Sequence, residues 1–211
     1  MNRRSATARQ TRAYAQHADQ LADQLRAEIA TVPGTPHGRP ALVVIMGLPG
    51  VGKSHVARLL CAELGAAHIA SDELRRRLFI AASYADEENR AVFAAAGALV
   101  DSLLAAGHRV VLDATNLRAR NRERAVSVAR QQGVPVLHVR VDAPDAEVRA
   151  RLAARRAARA ADDQSEADEQ IYDRMRSEGF EPPADGYLTV TNGPALAKEI
   201  AEVVGAIERT P

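Results

Sequence analysis

A continuous apolar run, ALVVIM at 41–46, passes without a break into GLPGVGKS at 47–54, and a helix-forming segment follows to about residue 64. No other feature narrows the possible folds so far. Six apolar residues without alternation suit a strand buried on both faces, as in a parallel sheet flanked by helices. The octapeptide fits G-x-x-x-x-G-K-[ST] at each fixed position, and it lies where such a turn works, between a buried strand and a helix. Its glycines let the backbone bend until several N–H groups converge, and the helix N-terminus adds partial positive charge. The result is a cradle for phosphate. Gly47, Leu48, Pro49, Gly50, Val51, Gly52, Lys53 and Ser54 are the expected walls of a nucleoside triphosphate site, with His55 in the first turn of the helix. Lys53 is expected to reach the β- and γ-phosphates, and the Ser54 hydroxyl to ligate Mg²⁺.

The rest of the chain alternates strand and helix. Short apolar runs at 66–70, 108–113, 135–142 and 187–190 read as strands, and segments at 86–106, 118–132, 145–160, 165–178 and 194–208 read as helices, with Gly107 and Gly133 as stops. Such alternation predicts an α/β fold, a five-stranded, mostly parallel sheet with helices on both faces. Ahead of it, Tyr14, Ala18, Leu21, Leu25 and Ile29 recur at spacings of three and four, which predicts a helix over 6–30. TVPGTPHGRP at 31–40, with three prolines and two glycines, reads as a linker. The expected organisation is a helical appendage and linker at 1–40 and a domain at 41–211, with an Arg-rich helical lid at about 149–180.

In open α/β sheets ligands bind beyond the carboxyl ends of the strands, so polar residues there are the candidates for chemistry. Asp113 ends the third strand; it either holds the Mg²⁺ or caps the next loop or helix. After the second strand comes SDELR at 71–75. Asp72 is placed to accept a proton from an attacking hydroxyl, and Arg75, on the same helix face, to hold an acceptor or phosphate; the alternative is a helix cap followed by a solvated basic face. Thr115 and Asn116 either contact an acceptor or cap the next helix. Arg149, Arg151, Arg155, Arg156 and Arg159 precede an acidic stretch at 162–169. They read as a lid that closes over a transferring phosphoryl group, or as partners of that acidic stretch, or both.

Composition excludes several classes. The net charge is +1 and aromatic residues make up 3%, so there is neither a global basic field nor a supply of rings for stacking bases. The row Arg118, Arg120, Arg122 and Arg124 remains as a local patch for a polyanion. Cys61 is the one cysteine and is expected to pack; the six histidines have no metal-ligand spacing. No run approaches the roughly 18 apolar residues of a membrane span, and a cytoplasmic protein is expected.

Taken in order, GLPGVGKS, SDELR, DATNLRARNR and RARLAARR resemble the P-loop kinases related to polynucleotide 5′-hydroxyl kinase, a group near the zeta-toxin and chloramphenicol-phosphotransferase kinases, over about residues 41–190. The resemblance implies a P-loop NTPase fold. It implies ATP with Mg²⁺, bound by Lys53 and Ser54, and Asp72 as general base. It further implies Arg75 as the arginine that orients the acceptor phosphate, Thr115 as the threonine after the third strand, and Arg151 and Arg155 as the lid arginines. The expected reaction moves the γ-phosphoryl of ATP to an acceptor hydroxyl, first among acceptors a nucleic-acid 5′-hydroxyl. Its alternatives are a small-molecule hydroxyl, such as that of a nucleoside or an antibiotic, a toxin-like kinase, and an NTPase switch with no acceptor.

Overall fold

The computed structural model describes residues 39–79, 85–158 and 165–210. The helix expected over 6–30, most of the linker and the middle of the lid, 159–164, lie outside the described residues. Among the described residues five strands make one sheet: β1 (Leu42–Met46), β2 (Ala67–Ala70), β3 (Val110–Asp113), β4 (Val136–Asp142) and β5 (Leu188–Thr191). Their order is β2-β3-β1-β4-β5. Every neighbouring pair is parallel, so the sheet expected to be mostly parallel is wholly so.

β1 lies in the middle, with Leu42 in register with Val110 on one side and Val136 on the other. A central parallel strand is covered on both faces, and no residue from Leu42 to Met46 is more than 1% exposed. This is the physical reason for the unbroken apolar run. Seven helices are found among the described residues: α1 (Lys53–Leu64), α2 (Ser71–Leu78), α3 (Asp86–Ala105), α4 (Ala119–Gln131), α5 (Asp145–Ala158), α6 (Ser165–Glu178) and α7 (Leu196–Arg209). Leu42, Val44 and Met46 share one core with Val92, Leu99 and Leu103 of α3 and Val126 of α4. Val43 and Ile45 share the other with Val56 and Leu60 of α1, Val148 of α5 and Val203 of α7. Each such side chain stabilises the fold by about 1.5–3 kcal/mol on burial. The element at 71–78, foreseen only as a face shared by Asp72 and Arg75, is a short helix of its own.

Register carries the geometry toward the site. Ile45 and Ala70 both pair with Asp113, so the ends of β1, β2 and β3 reach one edge together. The segments that leave that edge are the glycine-rich loop, the start of α2 and the 114–118 loop. No helix among the described residues is long and apolar enough to cross a membrane.

Candidate active site

The loop after β1 is held from outside by backbone and side chains distant in sequence. The Gly47 N–H donates to the Thr115 carbonyl at 3.0 Å. The Val51 carbonyl accepts from Asn192 Nδ2 at 3.0 Å and from the Arg151 guanidinium at 3.3 Å. Lys53 Nζ donates to the Leu48 carbonyl at 2.9 Å, which keeps the ammonium against its own loop. Gly52 sits at φ 96°, and a Cβ there would lie 2.0 Å from Asn192 Nδ2. Glycine is required both by the left-handed backbone and by the close approach of that amide.

Gly52 is also the residue before α1, and it supplies no side-chain cap; the first turn of α1 holds no acid. The N-terminal amides of a helix lack intrahelical partners, and neither Gly52 nor the first turn of α1 supplies them with a carboxylate. By contrast α3 begins with Asp86, Glu87 and Glu88. The start of α1 is therefore electrostatically suited to an anion brought from outside.

Asp113 ends β3 beside this turn and is 4% exposed. His68 Nε2 lies 3.3 Å from its Oδ2. Burial pushes the carboxyl up, but hydrogen bonds from His68 and Ser54 and the charge of Lys53 outweigh it and hold Asp113 below the ordinary carboxylate range. The result is an ionised carboxylate next to the Ser54 hydroxyl, two hard oxygen donors of the kind Mg²⁺ takes. Among the described residues no group of three or more His, Cys, Asp or Glu is placed to hold a metal. Asp113 is not the cap of the next helix: α4 is capped by Glu181, whose carboxylate accepts from the Ala119 N–H at 2.7 Å.

The same bond removes the capping alternative for Thr115 and Asn116. Thr115 is half-buried and its carbonyl belongs to the Gly47 contact. Asn116 is fully buried, with φ 46°. Its Nδ2 donates to the Ile45 carbonyl at 2.8 Å, so its amide is turned into the fold and away from an acceptor.

Asp72 is exposed in the first turn of α2. Its helix takes no side-chain cap from Ala70 before it. Arg75, three residues on, is 6% exposed; it donates to Asn89 Oδ1 at 2.6 Å and lies 3.5 Å from Glu88. The expected solvated basic face is thus split. Arg76 and Arg77 pair with Glu73 at the surface, while Arg75 binds α2 to α3.

The lid arginines divide likewise. Arg149 pairs with Asp145, Glu169 and Asp173, the intramolecular bridging that was one of its two readings. Arg151 reaches the loop at Val51 and is also held by Glu147 at 2.8 Å. Arg155 lies on α5; its side chain, with Arg156 and Arg159, falls outside the described part of the structure. His55 is exposed in the first turn of α1. Cys61 is half-buried, and its thiol is pushed up to about 12 by burial and then by the charge of Asp113, as befits a packing residue.

The row at 118–124 is not a single face. Arg118 pairs with Glu181 at 2.9 Å. Arg122 is 4% exposed and donates to the Asn116 and Glu181 carbonyls. Residues two apart point to opposite sides of a helix; Arg120 and Arg124 are exposed, with Arg124 covering Gly97, while Arg118, just ahead of the helix, is paired at the surface with Glu178 and Glu181. The expected row of four is broken up, since burial takes Arg122 out of it and Glu181 neutralises Arg118.

Asn192, Glu181 and His68 were not singled out as site residues by the sequence. Asn192 had one usable signal, an Asn-Gly pair at a strand end. Glu181 had none.

A family model described as an AAA domain matches residues 42–183. The APS kinase CysC of Mycobacterium tuberculosis, in complex with AMPPNP and APS, is similar in structure: TM-score 0.63, 23% identity, 82% of this chain and 99% of that one covered. Kti12 of Chaetomium thermophilum, in complex with ADP-AlF3, gives a TM-score of 0.59 at 22% identity over 79% of this chain and 98% of its own. A gluconokinase from Sinorhizobium meliloti 1021 gives 0.57 at 21% identity over 82% and 94%. These likenesses establish the shared fold. No curated protein matches the chain in sequence.

Proposed function

The chain belongs to the AAA-domain family, and from that premise we propose that it is a phosphotransferase, moving the γ-phosphoryl group of ATP to an acceptor hydroxyl. One observation carries the proposal: the uncapped, acid-free start of α1 stands beside Lys53 and an ionised Asp113. This is a site built for a polyphosphate and its counter-cation. The named activities of two structural neighbours, APS kinase and gluconokinase, give the reading further support.

In this reading the loop amides and Lys53 bind the phosphates. Ser54 and Asp113 would hold Mg²⁺, which would supply charge neutralisation at the phosphates. Asp72, exposed at the edge of the sheet, takes the proton of the acceptor hydroxyl. The acceptor oxygen forms its bond to the γ-phosphorus as the bond from that phosphorus to the bridging oxygen breaks, and ADP leaves. Arg75 acts as a positioning residue, tying the helix of Asp72 to α3 through Asn89. Arg151, with Arg155 behind it on α5, closes over the phosphoryl group. Little covalent chemistry falls to the protein, since positioning and electrostatics dominate this transfer.

A nucleic-acid 5′-hydroxyl is the acceptor that the resemblance to polynucleotide kinases suggests. A small acceptor is favoured by the burial of Arg122 and the pairing of Arg118 with Glu181, which weaken the basic row at 118–124. The test is transfer from γ-labelled ATP with Mg²⁺ to a panel of 5′-hydroxyl DNA and RNA oligonucleotides, nucleosides and antibiotic-type small molecules. Wild type is compared with Asp72→Asn. A labelled acceptor, lost in the variant, is the expected result, and the panel member that carries the label names the class. Hydrolysis with no labelled acceptor, unchanged in Asp72→Asn, would sink the kinase reading in favour of an NTPase switch.

A further inference from the structure

We infer that Asn192 is a positioning residue for the phosphate loop, one that fixes the direction of the Gly52 N–H. The inference rests on the phosphate-binding reading above. Asn192 lies just beyond β5, and its own N–H donates to the Asp142 carbonyl at 2.9 Å, so its backbone is tied to the end of β4. From there Nδ2 reaches 141 residues back along the chain to the Val51 carbonyl at 3.0 Å. The Val51 carbonyl and the Gly52 N–H belong to one planar peptide unit, and no peptide bond in the described structure is cis. In a trans unit the two groups point in opposite directions. A donor that holds the carbonyl outward therefore holds the N–H toward the other side, into the turn where phosphate amides converge.

Glycine makes this clamp necessary. Gly52, at φ 96°, has no Cβ to limit its rotation, and the space a Cβ would take is filled by the Asn192 amide at 2.0 Å. The second donor on the Val51 carbonyl, Arg151, is on the lid helix and is shared with Glu147. When Arg151 leaves to meet a phosphoryl group, Asn192 is the donor that stays.

The experiment titrates ADP and AMP, with Mg²⁺, into wild type, Asn192→Ala and the near-isosteric Asn192→Asp. Alongside, the Gly52 amide is followed by proton–nitrogen NMR. ADP affinity is expected to fall about tenfold in both variants, the scale of one hydrogen bond to a charged group. Affinity for AMP, which lacks the β-phosphate, holds. The Gly52 resonance should move on adding ADP to wild type and stay in the variants. Equal losses for ADP and AMP, or an unchanged ADP affinity, would overturn the inference and leave the phosphate site standing. A wild type that binds no ADP would overturn the phosphate reading itself, and this inference with it.

Discussion

His138 offers a pH test of the packing around β4. It is 4% exposed, and its imidazole is pulled from 6.5 down to about 4, first by burial and then by the charges of Arg122 and Arg130, with Asp185 opposing them. A histidine depressed in this way stays neutral in the folded chain while the unfolded chain takes a proton. Its contribution to stability is whole above pH 6.5 and is lost as the pH falls toward 4. The shift, 6.5 − 4, at 1.36 kcal/mol per unit, sets a ceiling of about 3 kcal/mol. By pH 5 about 2 kcal/mol of it should be gone. Asp113, Asp145 and Glu181 are held below the ordinary carboxylate range, so their losses set in as the pH falls through the unfolded values of 3.8 and 4.5, below the interval from pH 7 to pH 5. In urea, with a slope of about 2 kcal/mol per molar, the wild-type midpoint should fall by about 1 M between pH 7 and pH 5. His138→Leu should remove that fall. Parallel curves for the two proteins, or an imidazole of His138 that titrates near 6.5 by NMR, would refute the reasoning.

Three further outcomes are expected. Gly52→Ala places a Cβ 2.0 Å from Asn192 Nδ2 on a backbone at φ 96°; calorimetry should find nucleotide binding abolished, with the fold retained by circular dichroism. Glu181→Ala removes the acceptor of the Ala119 N–H and the partner of Arg118. Loss of a cap costs about 1 kcal/mol, and the thermal midpoint should drop by about 2–4 °C. Asn116→Ala leaves the buried Ile45 carbonyl without its donor and puts alanine at φ 46°; chemical denaturation should show a loss of about 2–3 kcal/mol.

The sequence by itself determined what is local. The strand, the glycine-rich turn and the helix from 42 to 64 could be read directly, because an apolar run, a fixed motif and helical periodicity all lie within a few turns of chain. So could the order of the elements and the stops near Gly107 and Gly133, since turn glycines act where they stand. Asp113 was legible as a strand-end carboxylate; its ionised state was not, since that depends on His68 from β2 and on Ser54 and Lys53 from α1. Tertiary structure alone decided which arginines face outward. Arg118 and Arg122 looked like part of a basic row until Glu181, 63 and 59 residues further along the chain, came to lie against them. It also placed Asn192 on the phosphate loop. Strand order puts β4 and β5 beside β1, and a contact made by sheet topology leaves no trace in the spacing of the residues that make it.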